Sequence, residues 1–181
     1  MIILVAYASV EGQTAKIATH IAEKAESAGH EVILVNLAEP GFAIPGRFDG
    51  VILCGPIHMG AYPNTLIRFI QNWKSALVEV PVALVTVSLA ILSDYSEGHE
   101  EAMSYPEKMI RETGWTPDVQ YHAAGALKYL EYDFFKRLIM RRISGSQGGP
   151  IDTSQDYEFT DWAALDGFTT DFLAFAAKKA A

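Results

Sequence analysis

Ser9, Gly12 and Thr14 fall within one short stretch, Tyr7-Ala8-Ser9-Val10-Glu11-Gly12-Gln13-Thr14, that leaves an apolar run and enters a helical pattern. Two hydroxyls around a glycine at such a junction suit an anionic ligand. A helix N-terminus offers unpaired N–H groups and about half a positive charge, enough to hold a phosphate without a lysine. Gly12 lets the backbone approach closely, and Ser9 and Thr14 add hydroxyl donors. The stretch is neither G-x-G-x-x-G nor G-x-x-x-x-G-K-S/T, which speaks against a dinucleotide fingerprint or a Walker loop. A plainer role stays open, in which Ser9 or Glu11 simply caps the helix that follows. The histidines His20, His30, His58, His99 and His122 are scattered without metal-ligand spacing, so no metal site is expected. Cys54 is the only cysteine, which precludes an internal disulfide and fits a reducing cytoplasm. It reads as buried strand filler.

The elements that must position this stretch follow from the apolar pattern. Residues 2–7 (IILVAY), 51–54 (VILC) and 82–87 (VALVTV) are continuous apolar runs, as expected of parallel strands covered on both faces. Residues 32–35 form a shorter candidate and 119–124 a weaker one. Between them, residues 14–28 carry Ile17, Ala18, Ile21, Ala22, Ala25 and Ala28 at helical spacing, with Gly29 placed as the stop. Residues 64–77 repeat the rhythm, and 100–113 form a third helix closed by Gly114. Thr160 reads as the N-cap of a last helix whose inward face is Trp162, Leu165, Phe168, Phe172 and Phe175. Alternating strands and helices with short connections predict an α/β, doubly wound parallel sheet. Ligands of such sheets sit outside the carboxyl ends of the strands, where the stretch at 9–14 lies. Residues 125–159 are too long for an ordinary loop and read as a functional or structured insertion.

The stretch at 9–14 resembles the FMN-phosphate loop of flavodoxins, with Glu11 standing where those usually have Thr. That resemblance implies a five-stranded sheet of order 2-1-3-4-5, helices on both faces, and FMN as cofactor. Two further loops follow apolar strands and belong on the same rim: Gly55-Pro56-Ile57-His58-Met59-Gly60-Ala61-Tyr62-Pro63 and Ser88-Leu89-Ala90-Ile91-Leu92-Ser93-Asp94-Tyr95. Isoalloxazine needs flat apolar surfaces on its faces and backbone groups at its polar edge. Met59, Tyr62 and Tyr95 can supply the first, and Gly55, Gly60 and Ser88 the second, with Pro56, Ile57 and Leu89 beside them. No catalytic acid or base is identified. His58 is either a proton donor near the flavin or an exposed loop histidine.

Residues 128–145 read KYLEYDFFKRLIMRRISG, and Lys128, Lys136, Arg137, Arg141 and Arg142 against Glu131 and Asp133 leave this segment positive. As a helix, residues 133–143 would set Phe134, Phe135, Leu138, Ile139 and Ile143 on one face, with Arg142 inside that arc. Such a helix either lies in a membrane interface or packs on its own domain with snorkelling cations. Together with Gly125-Ala126-Leu127-Lys128-Tyr129, Arg142-Ile143-Ser144-Gly145, Asp152-Thr153 and Tyr157-Glu158-Phe159-Thr160-Asp161-Trp162, the segment resembles the menaquinone-dependent protoporphyrinogen oxidase family. Those are flavodoxin-like enzymes with a long insertion and an acid before Gly-Gln-Thr in the phosphate loop. The resemblance implies six-electron oxidation of protoporphyrinogen IX to protoporphyrin IX in haem biosynthesis, with FMN passing electrons to a membrane quinone. It further implies that Lys128, Arg137, Arg141 and Arg142 pair with substrate propionates or touch anionic lipid. His58 departs from it, standing where a basic residue is expected.

Length and charge bound the alternatives. A chain of 181 residues, half hydrophobic, suits one domain spanning 1–181. A net charge of −8 argues against nucleic-acid binding. No basic signal region precedes residues 2–6, and no apolar run reaches the ~20 residues of a membrane span. The expectation is a cytoplasmic protein, in peripheral contact with the inner face of the membrane at most; its oligomeric state is not legible. The main rival is a flavodoxin-type electron carrier without an organic substrate of its own, which the acidic surface suits and the basic insertion does not. A nicotinamide-linked flavin reductase and a flavin-free adaptor of the same fold are further rivals.

Overall fold

The computed structural model describes residues 1–9, 11–44, 46–92, 96–127 and 157–179. Its main sheet contains β1 (Ile2–Tyr7), β2 (Glu31–Asn36), β3 (Gly50–Pro56), β4 (Val82–Ser88) and β5 (Val119–Ala124), all parallel, in the order β2-β1-β3-β4-β5. The apolar runs are continuous because helices cover both faces. On one face Leu4, Leu53 and Leu84 pack beneath α2 (Asn64–Leu77) and α3 (Ser96–Thr113), meeting Leu66, Ile70 and Met109. On the other, Ile3, Val5, Ile52 and Val85 meet Ile17 and Ile21 of α1 (Gln13–Ser27) and Leu165 and Phe172 of α4 (Trp162–Lys179). A fully buried side chain of this size contributes ~1.5–3 kcal/mol over an exposed one.

Gly29 ends α1 as expected: at φ +84 its N–H reaches Glu26 O (2.9 Å), and the His30 N–H reaches Ala25 O (3.2 Å). This is the paired closure that a left-handed residue after a helix permits. Gly114, at φ +63, closes α3 in the same region of backbone space. α3 starts at Ser96, earlier than its apolar pattern indicates, because its first turn, Ser96-Glu97-Gly98-His99, holds no apolar residue for that pattern to register.

The start of α4 corrects the sequence reading. Asp161 Oδ1 accepts the Ala164 N–H at 3.0 Å, so Asp161 is the cap. Thr160 is turned away, donating its hydroxyl to Ala124 O at 2.8 Å. The expected inward face is kept at Leu165, Phe172 and, half-buried against the same core, Trp162 and Phe168, and changes at Phe175. Leu165, Thr169, Phe172, Leu173 and Ala176 are buried, whereas Phe175 is 37% exposed and only flanks Phe172. An arc that includes small residues seats α4 closer to the sheet than one made of aromatics, and α4 packs against the likewise small-residue α1.

After β5, β6 (Ala126–Leu127) pairs antiparallel with β7 (Tyr157–Glu158). The Phe159 N–H donating to Gly125 O at 3.1 Å extends the pairing. The two ends of the expected insertion therefore meet at the base of α4. Residues 128–156, including Lys128, Arg137, Arg141 and Arg142, lie outside the described residues.

Candidate functional site

β1, β3 and β4 are neighbours, so the loops leaving their carboxyl ends share one rim. The sequence reading brought these three loops together, and the topology does the same.

The first loop ends in α1. Gly12 occupies the N-cap position at φ +96, a conformation L side chains rarely adopt, and no side chain caps the helix among the described residues. Ser9 Oγ instead accepts the Gly12 N–H at 3.1 Å, which bends the backbone into the helix. The capping role for Ser9 or Glu11 is thus replaced by a glycine. Intrahelical bonding begins with the Lys16 N–H on Gly12 O at 3.1 Å. The first helical amides, from Gln13 onward, have no partner further back within the helix and point off its end. Thr14 and Gln13 are buried at the rim, whereas Glu11 is exposed, so its charge lies in water. Val10 lies outside the described residues. No lysine or arginine occurs in any of the three loops.

Gln13 is anchored from behind. Its Nε2 donates to Thr160 Oγ1 at 2.8 Å, and Thr160 passes the chain on to Ala124 O. Three positions along α1, Lys16 Nζ reaches Glu158 Oε2 at 3.1 Å, while Trp162 Nε1 donates to Glu158 Oε1 at 2.9 Å. Partial burial opposes ionisation of Glu158, but the hydrogen bonds from Lys16, Trp162 and Gln13 outweigh it. Its carboxyl is held below the usual glutamate value.

The second loop turns over on itself. The Ile57 N–H bonds Val87 O at 2.8 Å, and His58 and Ala61 exchange N–H···O bonds of 3.0 and 3.2 Å across Met59 and Gly60. Both central residues have positive φ, +51 for Met59 and +78 for Gly60. A side chain at such a position stores strain of about 1–3 kcal/mol and occurs where the surroundings or a function require it. Met59 is 94% exposed at the tip, and His58 is exposed without a carboxylate partner among the described residues.

Tyr62 lies elsewhere than expected. It is buried rather than facing the rim, and its hydroxyl shares a 2.6 Å hydrogen bond with Thr86 Oγ1. Burial pushes its phenol up, with the Thr86 bond opposing. A Cβ on Gly55 would meet Leu66 Cδ2 and come within 2.8 Å of the Tyr62 ring, so this close packing requires glycine. Tyr62 thus supports the loop from below. Burial also pushes the Cys54 thiol up, keeping it protonated.

The third loop starts at Ser88, which is buried with its Oγ unpartnered among the described residues. Leu89 is half-buried beside it, and Tyr95 lies outside the described residues. One strand further, both ring nitrogens of His122 are buried without a partner among the described residues. His122 is the cross-strand neighbour of Thr86, and Ser88 that of Ala124. Burial, then the neighbouring His99, lowers the His122 pKa. Orphaned polar atoms at a rim mark a place where a polar ligand edge or water completes the bonding. Sequence reasoning missed His122, Thr86 and Thr160. The signal for Thr86 is a polar residue inside a fully buried strand, and for His122 a histidine within the weaker edge-strand pattern; for Thr160 there is none, because its partners are distant in sequence.

A family model described as flavodoxin domain matches residues 4–154. A protein named protoporphyrinogen IX dehydrogenase (quinone) from Leishmania major is 27% identical over 172 residues, covering 94% of this chain and 74% of its own length. A protein of the same name from Escherichia coli strain K12 is 26% identical over 171 residues, covering 93% of this chain and 92% of its own. The structure of oxidised flavodoxin 1 from Bacillus cereus superposes with a TM-score of 0.56 at 15% identity, covering 96% and 98% of the two chains.

Proposed function

The chain belongs to the flavodoxin domain family, and from that membership we propose that it is an FMN-dependent oxidoreductase that oxidises protoporphyrinogen IX and passes the electrons to a quinone. The start of α1 carries the cofactor half of this reading. Gly12 in the left-handed region, with no side-chain cap, leaves oriented amides where an anion can sit, and Ser9 shapes the approach. A phosphate held in this way needs no cation, and the loops contain no Lys or Arg. The unpartnered Ser88 hydroxyl fits the polar edge of a flavin ring, and the exposed Met59 fits its face. Bound FMN supplies the electron-accepting chemistry that no side chain of this protein offers.

The substrate half rests on the two relatives, which align along nearly the whole chain under the name protoporphyrinogen IX dehydrogenase (quinone). The cations Lys128, Arg137, Arg141 and Arg142 supply charge for the propionates of the tetrapyrrole or for anionic lipid around the quinone. No helix among the described residues is long and apolar enough to cross a membrane. In this reading the lipid-dissolved quinone is reached by surface contact at the inner face of the cell membrane, through the basic insertion.

Anaerobic mixing with protoporphyrinogen IX tests the assignment: the bound flavin should bleach and recover its colour on addition of a menaquinone analogue. Flavin that ignores the tetrapyrrole yet exchanges electrons with flavodoxin partner proteins would replace this reading by that of an electron carrier, the reading that the net charge of −8 favours.

A further inference from the structure

The base of the β6–β7 pair is bonded directly to the helix start that the proposed function assigns to the flavin phosphate. Thr160 lies at the crossing. Its hydroxyl accepts from Gln13 Nε2 at 2.8 Å and donates to Ala124 O at 2.8 Å, joining α1, the end of β5 and the lead-in to α4. Glu158, in β7 itself, adds a second tie through Lys16 at 3.1 Å and is steadied by Trp162 at 2.9 Å. Each strand of the pair is only two residues long. So short a ladder is marginal in water and depends on what holds its base.

We infer that Thr160 and Glu158 are positioning residues that couple occupancy of the phosphate loop to closure of the β6–β7 pair. The inference rests on the phosphate-loop reading and deepens it. Gln13 is the first residue of α1, so its amide belongs to the set that faces the anion while its side chain is held by Thr160. An anion on the amides fixes the helix start. A fixed helix start presents Gln13 and Lys16 to Thr160 and Glu158, and the pair closes. By reciprocity, a closed pair strengthens anion binding by the same factor. Leu127 and Tyr157, which pair in this ladder, are thereby tied to the proposed flavin-phosphate site.

FMN affinity and amide hydrogen exchange test the coupling in the full-length chain. Thr160→Val removes both hydroxyl bonds at nearly constant shape and should weaken FMN about fivefold to tenfold, within the range of ordinary coupling energies. Thr160→Ser restores the hydroxyl and should return affinity to within about twofold of wild type. His20→Asn breaks the 2.8 Å contact with Asp166 between the same two helices, away from the helix start; it should lower thermal stability and leave FMN affinity unchanged. In wild type, FMN should slow exchange of the Leu127 and Phe159 amides about fivefold, and in Thr160→Val hardly at all. If Thr160→Val does not fold, Glu158→Gln, whose side chain is partly exposed, should show the same pattern at about threefold. The coupling is overturned if Thr160→Val or Glu158→Gln binds FMN like wild type, if serine fails to rescue, or if exchange in wild type is indifferent to FMN. Wild-type protein that takes up no flavin at all would remove the phosphate-loop reading and the coupling together.

Discussion

Gly12 and Met59 both sit in the left-handed region of backbone space, and only one of them is the residue that region favours. At Gly12 the conformation is required, since it turns the chain from β1 into an uncapped helix. Gly12→Ala adds a strain of about 1–2 kcal/mol, relieved only by rotating the amides away from their common target. Thermal stability should fall, and FMN affinity, read by flavin fluorescence quenching, should fall about tenfold; unchanged affinity would remove these amides from the phosphate site. At Met59 the strain is carried by a side chain that buries almost nothing, so folding alone does not account for it. Met59→Gly should raise the melting temperature of the flavin-free protein by about 2 °C, part of the relief being lost to glycine's extra freedom. FMN should nonetheless bind several-fold more weakly, because the apolar surface offered to the ring is gone. Loss of stability, or unchanged affinity, would show that the methionine is there for another reason.

At the scale of elements, β5 carries a histidine that feels the charge of His99 in α3. His122 has both nitrogens buried and unpartnered, and burial together with His99 holds its pKa below the usual 6.5. The unfolded chain therefore binds this proton at a pH where the folded chain does not. The corresponding stability is present above pH 6.5 and is lost as pH falls below it, until the folded-state pKa is passed. His30, lowered mainly by burial, adds to the same slope, so the difference between variants is the measure. His122→Leu should flatten the fall in melting temperature from pH 7.5 to pH 5.5 relative to wild type; an unaltered slope would place the titration elsewhere. β5 is also where the sequence was hardest to read. Its pattern, VQYHAA, is broken by polar residues because it is an edge strand beside the rim, whereas β1, β3 and β4 declare themselves by unbroken apolar runs. The helices α1 and α2 were legible from spacing and stops, which are local. The cap of α4 was not, because Thr160 and Asp161 are both good capping residues and the choice between them is made by Ala124, 36 residues away along the chain. The stretch at 9–14, the proposed phosphate loop, carries the same kind of local signal as α1, whereas its tie to Thr160 was hidden for the same non-local reason as the cap.

Charge is the property of the whole molecule that bears on the proposed cofactor. A protein of net charge −8 repels an approaching phosphate at long range, while the amides that receive it act only at contact. Salt shortens the range of the repulsion, the Debye length falling from about 30 Å at 0.01 M to about 10 Å at 0.1 M. It barely affects hydrogen bonds already formed at contact. The association rate of FMN should therefore rise about severalfold across that range, with a dissociation rate that changes little, as measured by stopped-flow fluorescence. A site clamped by lysine or arginine behaves in the opposite sense, losing attraction as salt is added. Riboflavin, which lacks the phosphate, should show no such acceleration and so separates field from ring. If association of FMN slowed with salt instead, the approach would be steered by positive charge. The basic segment at 128–145 is the one concentrated source of it in the sequence, and the phosphate would then be delivered by the insertion before the helix start receives it.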